Sequence, residues 1–120
     1  MPQIKLERVK FCKNISNADH LSRHSLADLY LDTFNYNGHT SMVDALWSGL
    51  PAITKIGKSF TARVGASLLN SFNMNDFITK SPKEYQDLAI KLSHDKSFYQ
   101  KSKNAVKHNI INSSLFALFL

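Results

Sequence analysis

LYLDTFNYNGHTSMVDALWSGLPAITK, residues 29–55, holds two short apolar runs separated by one stretch of helical period. The runs LYLD (Leu29–Asp32) and AITK (Ala52–Lys55) are four residues long and largely apolar, as expected for strands covered on both faces. Between them Met42, Val43, Leu46, Trp47 and Leu50 form one apolar face of a helix over Ser41–Ser48, turned toward the sheet. Gly49 followed by Pro51 stops that helix. Strand, helix and strand in this order are a βα unit of a parallel sheet, and the fold class is α/β.

Outward from this unit the alternation continues. VKFC (Val9–Cys12) reads as an earlier strand and Phe77–Thr79 as a weak later one, with helices near Ala18–Arg23, Ser59–Phe72, Pro82–Ser93 and Lys96–Asn109. Ser81-Pro82-Lys83-Glu84 starts a helix with a hydroxyl cap, a proline at the first helical position and a glutamate three residues after the cap. Phe60, Val64, Leu68 and Phe72 recur every four residues, a stripe expected to be core. MPQIKLER resembles the tail of a helix, and the closing LFALFL a helix or docking segment cut short. Both ends suggest a fragment.

A chain of 120 residues supports a single modest core. Its 43% hydrophobic content, with four glycines and three prolines, excludes disordered and fibrous classes. The lone Cys12 excludes an internal disulfide framework and multi-cysteine zinc patterns, and reads as a buried thiol. No signal-peptide core follows the charged N-terminus, and six apolar residues at the other end are too few to cross a bilayer, so a soluble, cytoplasmic chain without a membrane partner is expected. The net charge of +6 is diffuse, with Asp28, Asp32 and Asp44 forming an acidic stretch amid lysine-rich flanks.

In open α/β sheets ligands lie beyond the carboxyl ends of strands, where helix N-termini present free amides and a positive dipole. Asn37-Gly38 allows a tight turn at such a place, and His39, Thr40 and Ser41 then offer amides and hydroxyls suited to phosphate. Asp44 shares the face of Thr40 and Ser41. A carboxylate repels phosphate, so its natural partner is a sugar hydroxyl, and the combination points to a nucleotide or nucleotide sugar. Ser41-Met42-Val43-Asp44 equally fits a capping box, with aspartate for glutamate, that needs no ligand. His20 and His24, one helical turn apart, lack a third ligand for a metal at a recognisable spacing. His20 could instead stack on a base, with Arg23 one turn on to hydrogen-bond its edge. His94 and His108 read as surface residues.

The run LADLYLDTFNYNGHTSMVDALWSGLPAITKIGKSFTARVGASLL resembles the C-terminal catalytic lobe of the O-GlcNAc transferase family, including its bacterial homologues. That family's pattern is close to LADxxLDTxxxNxHTTxxDALWxGxPxxTxxGxxxxxRVxxSLL, and the similarity extends through RVKFCKNISNADHLSRHS before it and EYQDLAIKLSHD and SSLF after it. The resemblance implies a partial Rossmann-like parallel sheet flanked by helices, part of a two-lobed B-type glycosyltransferase. It implies an inverting enzyme that moves N-acetylglucosamine from UDP-GlcNAc to Ser or Thr hydroxyls of acceptor proteins. Residues 1–120 would then be a fragment of the nucleotide-sugar-binding lobe, with the N-terminal lobe and tetratricopeptide repeats absent and no activity alone.

By position, the resemblance carries the family's HTT histidine to His39 and the hydroxyl residues of the diphosphate turn to Thr40 and Ser41. Asp44 takes the acidic position at the nucleotide-sugar hydroxyls, His20 the histidine near uracil, and Arg23 the basic residue beside it. Two positions depart: Asn17 stands where the family often has lysine, and Ser41 replaces the second threonine. No catalytic base is nominated within this chain. UDP-GlcNAc is the expected donor substrate, and neither a cofactor nor a metal is expected.

Two readings compete. A non-enzymatic basic α/β module would bind nucleic acid through its lysine-rich helices, but no RNA-binding aromatic motif accompanies the charge, and nucleic acid is not the expected partner. A receiver-like domain would use Asp32 and Lys55, but lacks the paired acidic residues that hold magnesium.

Overall fold

The structure, a computed structural model, describes residues 4–119. Among these residues three parallel strands form an open sheet in the order β1 (Tyr30–Leu31), β2 (Ala52–Lys55) and β3 (Ile78–Thr79). Tyr30 is in register with Ala52 and Leu31 with Ile53; Thr54 is in register with Ile78 and Lys55 with Thr79. Among the described residues five α-helices accompany the sheet: α1 (Asn17–Arg23), α2 (Thr40–Trp47), α3 (Val64–Ser71), α4 (Pro82–His94) and α5 (Lys96–Asn112). The α/β class and the parallel, helix-flanked sheet are those the sequence implies.

The helix starts follow local chemistry. Ser81 Oγ accepts the Glu84 amide at 3.1 Å and caps α4 as expected. Glu84 reaches back to the Lys80 amide at 2.7 Å, closing the box one residue earlier than the usual pattern. Asp95 both ends α4 and caps α5 through the Phe98 amide. Gly49, at φ 88°, turns the chain out of α2 in the left-handed region that glycine tolerates. The buried core joins Met42 and Leu46 of α2, Ile53 of β2, Leu69 of α3 and Val106 of α5, with Phe72 and Phe116 edge to face at 5.6 Å.

Several expectations are corrected. VKFC forms no strand, and Val9, Phe11 and Cys12 are exposed, Phe11 to 96%. Among the described residues β1 pairs only with β2, so VKFC meets no neighbouring strand, and the Val9 amide donates instead to the Leu6 carbonyl at 3.0 Å. Cys12 is accordingly an exposed thiol rather than a buried one. The expected helix over Ser59–Phe72 divides into a 3-10 turn, Phe60–Ala62, and α3. Residues 57–63 close on themselves, Gly57 N–H donating to the Ala62 carbonyl and Arg63 Nη1 to the Gly57 carbonyl. Phe60 is therefore 80% exposed and drops out of the expected core stripe, whose far end holds: Phe72 is buried in the core and Leu68 packs against it, beside Gly65, Ala66 and Leu69 of the buried face of α3.

Trp47 likewise stays partly exposed and packs against Phe116 at 5.0 Å instead of on the sheet. At the ends, Leu6–Arg8 and Ser114–Phe119 are 3-10 turns. Residues 1–3 of the expected helix tail and residue 120 of LFALFL lie outside the described residues. No helix among the described residues is long and apolar enough to cross a membrane.

Candidate functional site

The loop from β1 to α2 lies at the carboxyl end of the sheet and is braced by buried polar groups. Asp32, 3% exposed, accepts the Thr33 and Gly38 amides on Oδ1 at 3.0 and 2.7 Å and the Thr54 hydroxyl on Oδ2 at 2.6 Å. Burial pushes its carboxyl above the ordinary carboxylate range, against the opposing pull of those three donors and of nearby His39. Asn37 is also buried; its Nδ2 donates to the Thr33 carbonyl, and its Oδ1 accepts the Gly65 amide at 2.9 Å. The loop is thereby tied to α3. A side chain at position 65 would place Cβ 2.5 Å from both Asp32 Oδ2 and Thr54 Oγ1, so glycine is required for this approach.

At the start of α2, His39 occupies the N-cap position and makes no side-chain cap. The first-turn amides are left without a side-chain acceptor, the state in which a helix start best receives an anion. The alternative capping box does not form. Ser41 sits inside the helix, and its Oγ is 2.9 Å from the Tyr30 hydroxyl. Gly38 packs over that pair, where an added Cβ would lie 2.0 Å from the phenol oxygen. The His39 ring stacks on exposed Tyr36 at 5.2 Å and 14°, and its Nε2 is buried without a partner.

Asp44 meets α1 rather than capping its own helix. Its Oδ2 lies 3.5 Å from His20 Nε2. Arg23 donates to His20 Nδ1 at 2.8 Å and to the Lys13 carbonyl at 2.8 Å. Arginine has no acceptor, so Nδ1 must offer its lone pair and the imidazole N–H lies at Nε2, toward Asp44. Asn17 begins α1 behind Ser16, whose Oγ accepts the Asp19 amide. His24 turns its Nδ1 to the His20 and Leu21 carbonyls, and no group of three metal-binding side chains occurs among the described residues.

Two clefts are lined by Val43 of α2, which is half-buried and also packs against the core as expected. One, of about 340 Å³, is lined by His39, Thr40, Val43, Phe60, Val64 and Leu68; the other, of about 350 Å³, by Leu21, Val43, Asp44, Trp47 and Phe116. A larger groove of about 620 Å³ beside α3 includes none of the six sequence-nominated residues. His20, Arg23 and Asp44 thus form one linked group, of which Asp44 lines the second cleft; His39 and Thr40 line the first, and Ser41, adjacent to them in the same turn, lines neither. Tyr30 and Tyr36 are not among the six nominated residues, nor are Asn37, read only as a turn residue, and Asp32, named only for the receiver-like alternative. The signal for Asp32 and Asn37 was their place in the LDT and NGHTS segments at a strand end; nothing local marks Tyr30 or Tyr36.

Glycosyl transferase family 41 matches this chain over residues 2–119. A UDP-N-acetylglucosamine–peptide N-acetylglucosaminyltransferase of Caenorhabditis elegans is 32% identical over 109 residues, covering 91% of this chain and 10% of the relative. A Hordeum vulgare relative, named "Probable UDP-N-acetylglucosamine–peptide N-acetylglucosaminyltransferase SPINDLY", is 34% identical over 97 residues, covering 81% and 10%. Among solved structures, a variant of Thermobaculum terrenum O-GlcNAc transferase superposes with a TM-score of 0.85 at 27% identity, over 91% of this chain and 21% of that one. The chain spans about a tenth of the length of these sequence relatives.

Proposed function

The chain belongs to glycosyl transferase family 41, and from that premise we propose that it binds the donor UDP-GlcNAc for inverting transfer of N-acetylglucosamine to Ser or Thr hydroxyls of acceptor proteins. The observation that carries this reading is the start of α2, which has no side-chain cap and stands at the carboxyl end of the sheet with Thr40 and Ser41 in its first turn.

A diphosphate against that turn would receive the free amides and the Thr40 and Ser41 hydroxyls. As the acceptor hydroxyl attacks the anomeric carbon and the bond to UDP breaks, negative charge grows on the departing diphosphate. Fixed donors aimed at that charge stabilise the transition state more than the ground state. The helix dipole adds positive potential at the same place without a metal or a cofactor. Asp44, linked to His20, accepts a hydroxyl of the nucleotide sugar, while His20 and Arg23 face the base. The attacking hydroxyl loses its proton to a group outside this chain, in the N-terminal lobe expected of such an enzyme; the nucleic-acid alternative has no observation in its favour.

The test is titration calorimetry of UDP with the full-length protein. Thr40→Ala and Asp44→Ala are each expected to weaken UDP binding about tenfold, the loss of a hydrogen bond to a charged or well-ordered group. Unchanged affinity in the double variant would remove the proposed site.

A further inference from the structure

Ser41 is the one hydroxyl of the proposed diphosphate turn already engaged within the protein, at 2.9 Å from Tyr30. Either oxygen can donate in that bond when the site is empty. A diphosphate changes this, because its oxygens only accept. Ser41 must then donate outward, so its Oγ can only accept from the phenol. One direction of proton donation survives: Tyr30 to Ser41, and Ser41 to the phosphate.

We infer that Tyr30 is a positioning residue for donor binding, holding the Ser41 hydroxyl so that its proton points at the diphosphate. This rests on the donor-site reading above and extends it to a residue that the family-like pattern LADxxLDT leaves unspecified. Three observations converge on it. Tyr30 is half-buried in β1, whose backbone is fixed by its amide donating to the Pro51 carbonyl at 2.8 Å, so the phenol is delivered from a rigid element. Gly38 covers the pair so closely that any Cβ there would displace both oxygens. Ser41 stands where the related pattern has threonine. A threonine hydroxyl is oriented by its own β-branch, whereas serine rotates more freely and gains from an external partner. A donor behind the Ser41 oxygen also polarises its outward O–H, strengthening the bond to an anion.

The test is a double-mutant cycle on UDP affinity in the full-length protein, with Tyr30→Phe, Ser41→Ala and the pair. Tyr30→Phe removes one oxygen and keeps the ring. It is expected to weaken UDP about three- to tenfold, the span of one net hydrogen bond, and to add nothing in the Ser41→Ala background. Ser41→Thr introduced beside Tyr30→Phe is expected to restore most of the affinity, which general loosening of β1 would not allow. An additive loss in the cycle, or no loss from Tyr30→Phe, overturns the inference. If Thr40→Ala and Asp44→Ala weaken UDP while Tyr30→Phe does not, only the role of Tyr30 falls; if none of them matters, the donor-site reading falls with it.

Discussion

Asp32 is a carboxylate out of reach of water, holding two amides of the loop it begins and a hydroxyl of the next strand. Desolvation dominates the balance and raises its pKa above the ordinary 3.8. The folded chain therefore binds the Asp32 proton more tightly than the unfolded chain does. Between the ordinary and the raised pKa this contributes stability that grows as pH falls, opposite to the usual salt-bridged carboxylate. Asp32→Asn removes that contribution. Denaturant titrations of the parent and the variant are expected to show the stability difference moving in favour of the parent as pH falls from about 7 to about 4; a difference that is flat, or that moves the other way, would show Asp32 to be paired well enough to offset its burial. Side-chain contacts at this scale are also the least legible in the sequence. His39, Thr40, Ser41 and Asp44 were visible as a group because helical spacing puts them in adjacent turns. The bond between Ser41 and Tyr30 spans a loop, and no spacing rule reaches across it.

Strong end signals fix the bounds of a helix closely. α4 starts at Pro82 behind Ser81, as its capping sequence requires, and Ser81→Ala is expected to cost about 1 kcal/mol in chemical denaturation. A loss near zero would mean that Glu84, through the Lys80 amide, carries the cap alone. The bounds of α2 lie within a residue of those its sequence implies, because Gly49 and Pro51 end it and the apolar face fixes its phase. The stretch 59–72 misled because Phe60 continues a four-residue rhythm that the loop 57–63 interrupts with its own hydrogen bonds. The capping-box alternative at Ser41 failed for a tertiary reason: Tyr30 takes the hydroxyl and His20 faces the carboxylate. Local chemistry allowed two outcomes, and contacts from β1 and α1 chose between them.

At the scale of the molecule, alternation of short apolar runs with helical stretches was enough to give a parallel α/β sheet, because each βα unit is specified locally. VKFC shows where that logic stops. Its composition is strand-like, but a strand needs a neighbour to take its hydrogen bonds, and none lies beside it among the described residues. Buried side chains from α2, α3 and α5 meet around β2. The side of α2 that carries Val43 is left open to two clefts, one lined by Asp44 and the other by His39 and Thr40. A nucleoside diphosphate laid across this face would meet the first turn with its phosphates and the His20 side with its base. The most direct measurement is a crystal structure of the full-length protein with UDP. Phosphate oxygens within hydrogen-bonding distance of the Thr40 and Ser41 amides or hydroxyls are the predicted result, and a diphosphate bound elsewhere, with the start of α2 solvated, would contradict it.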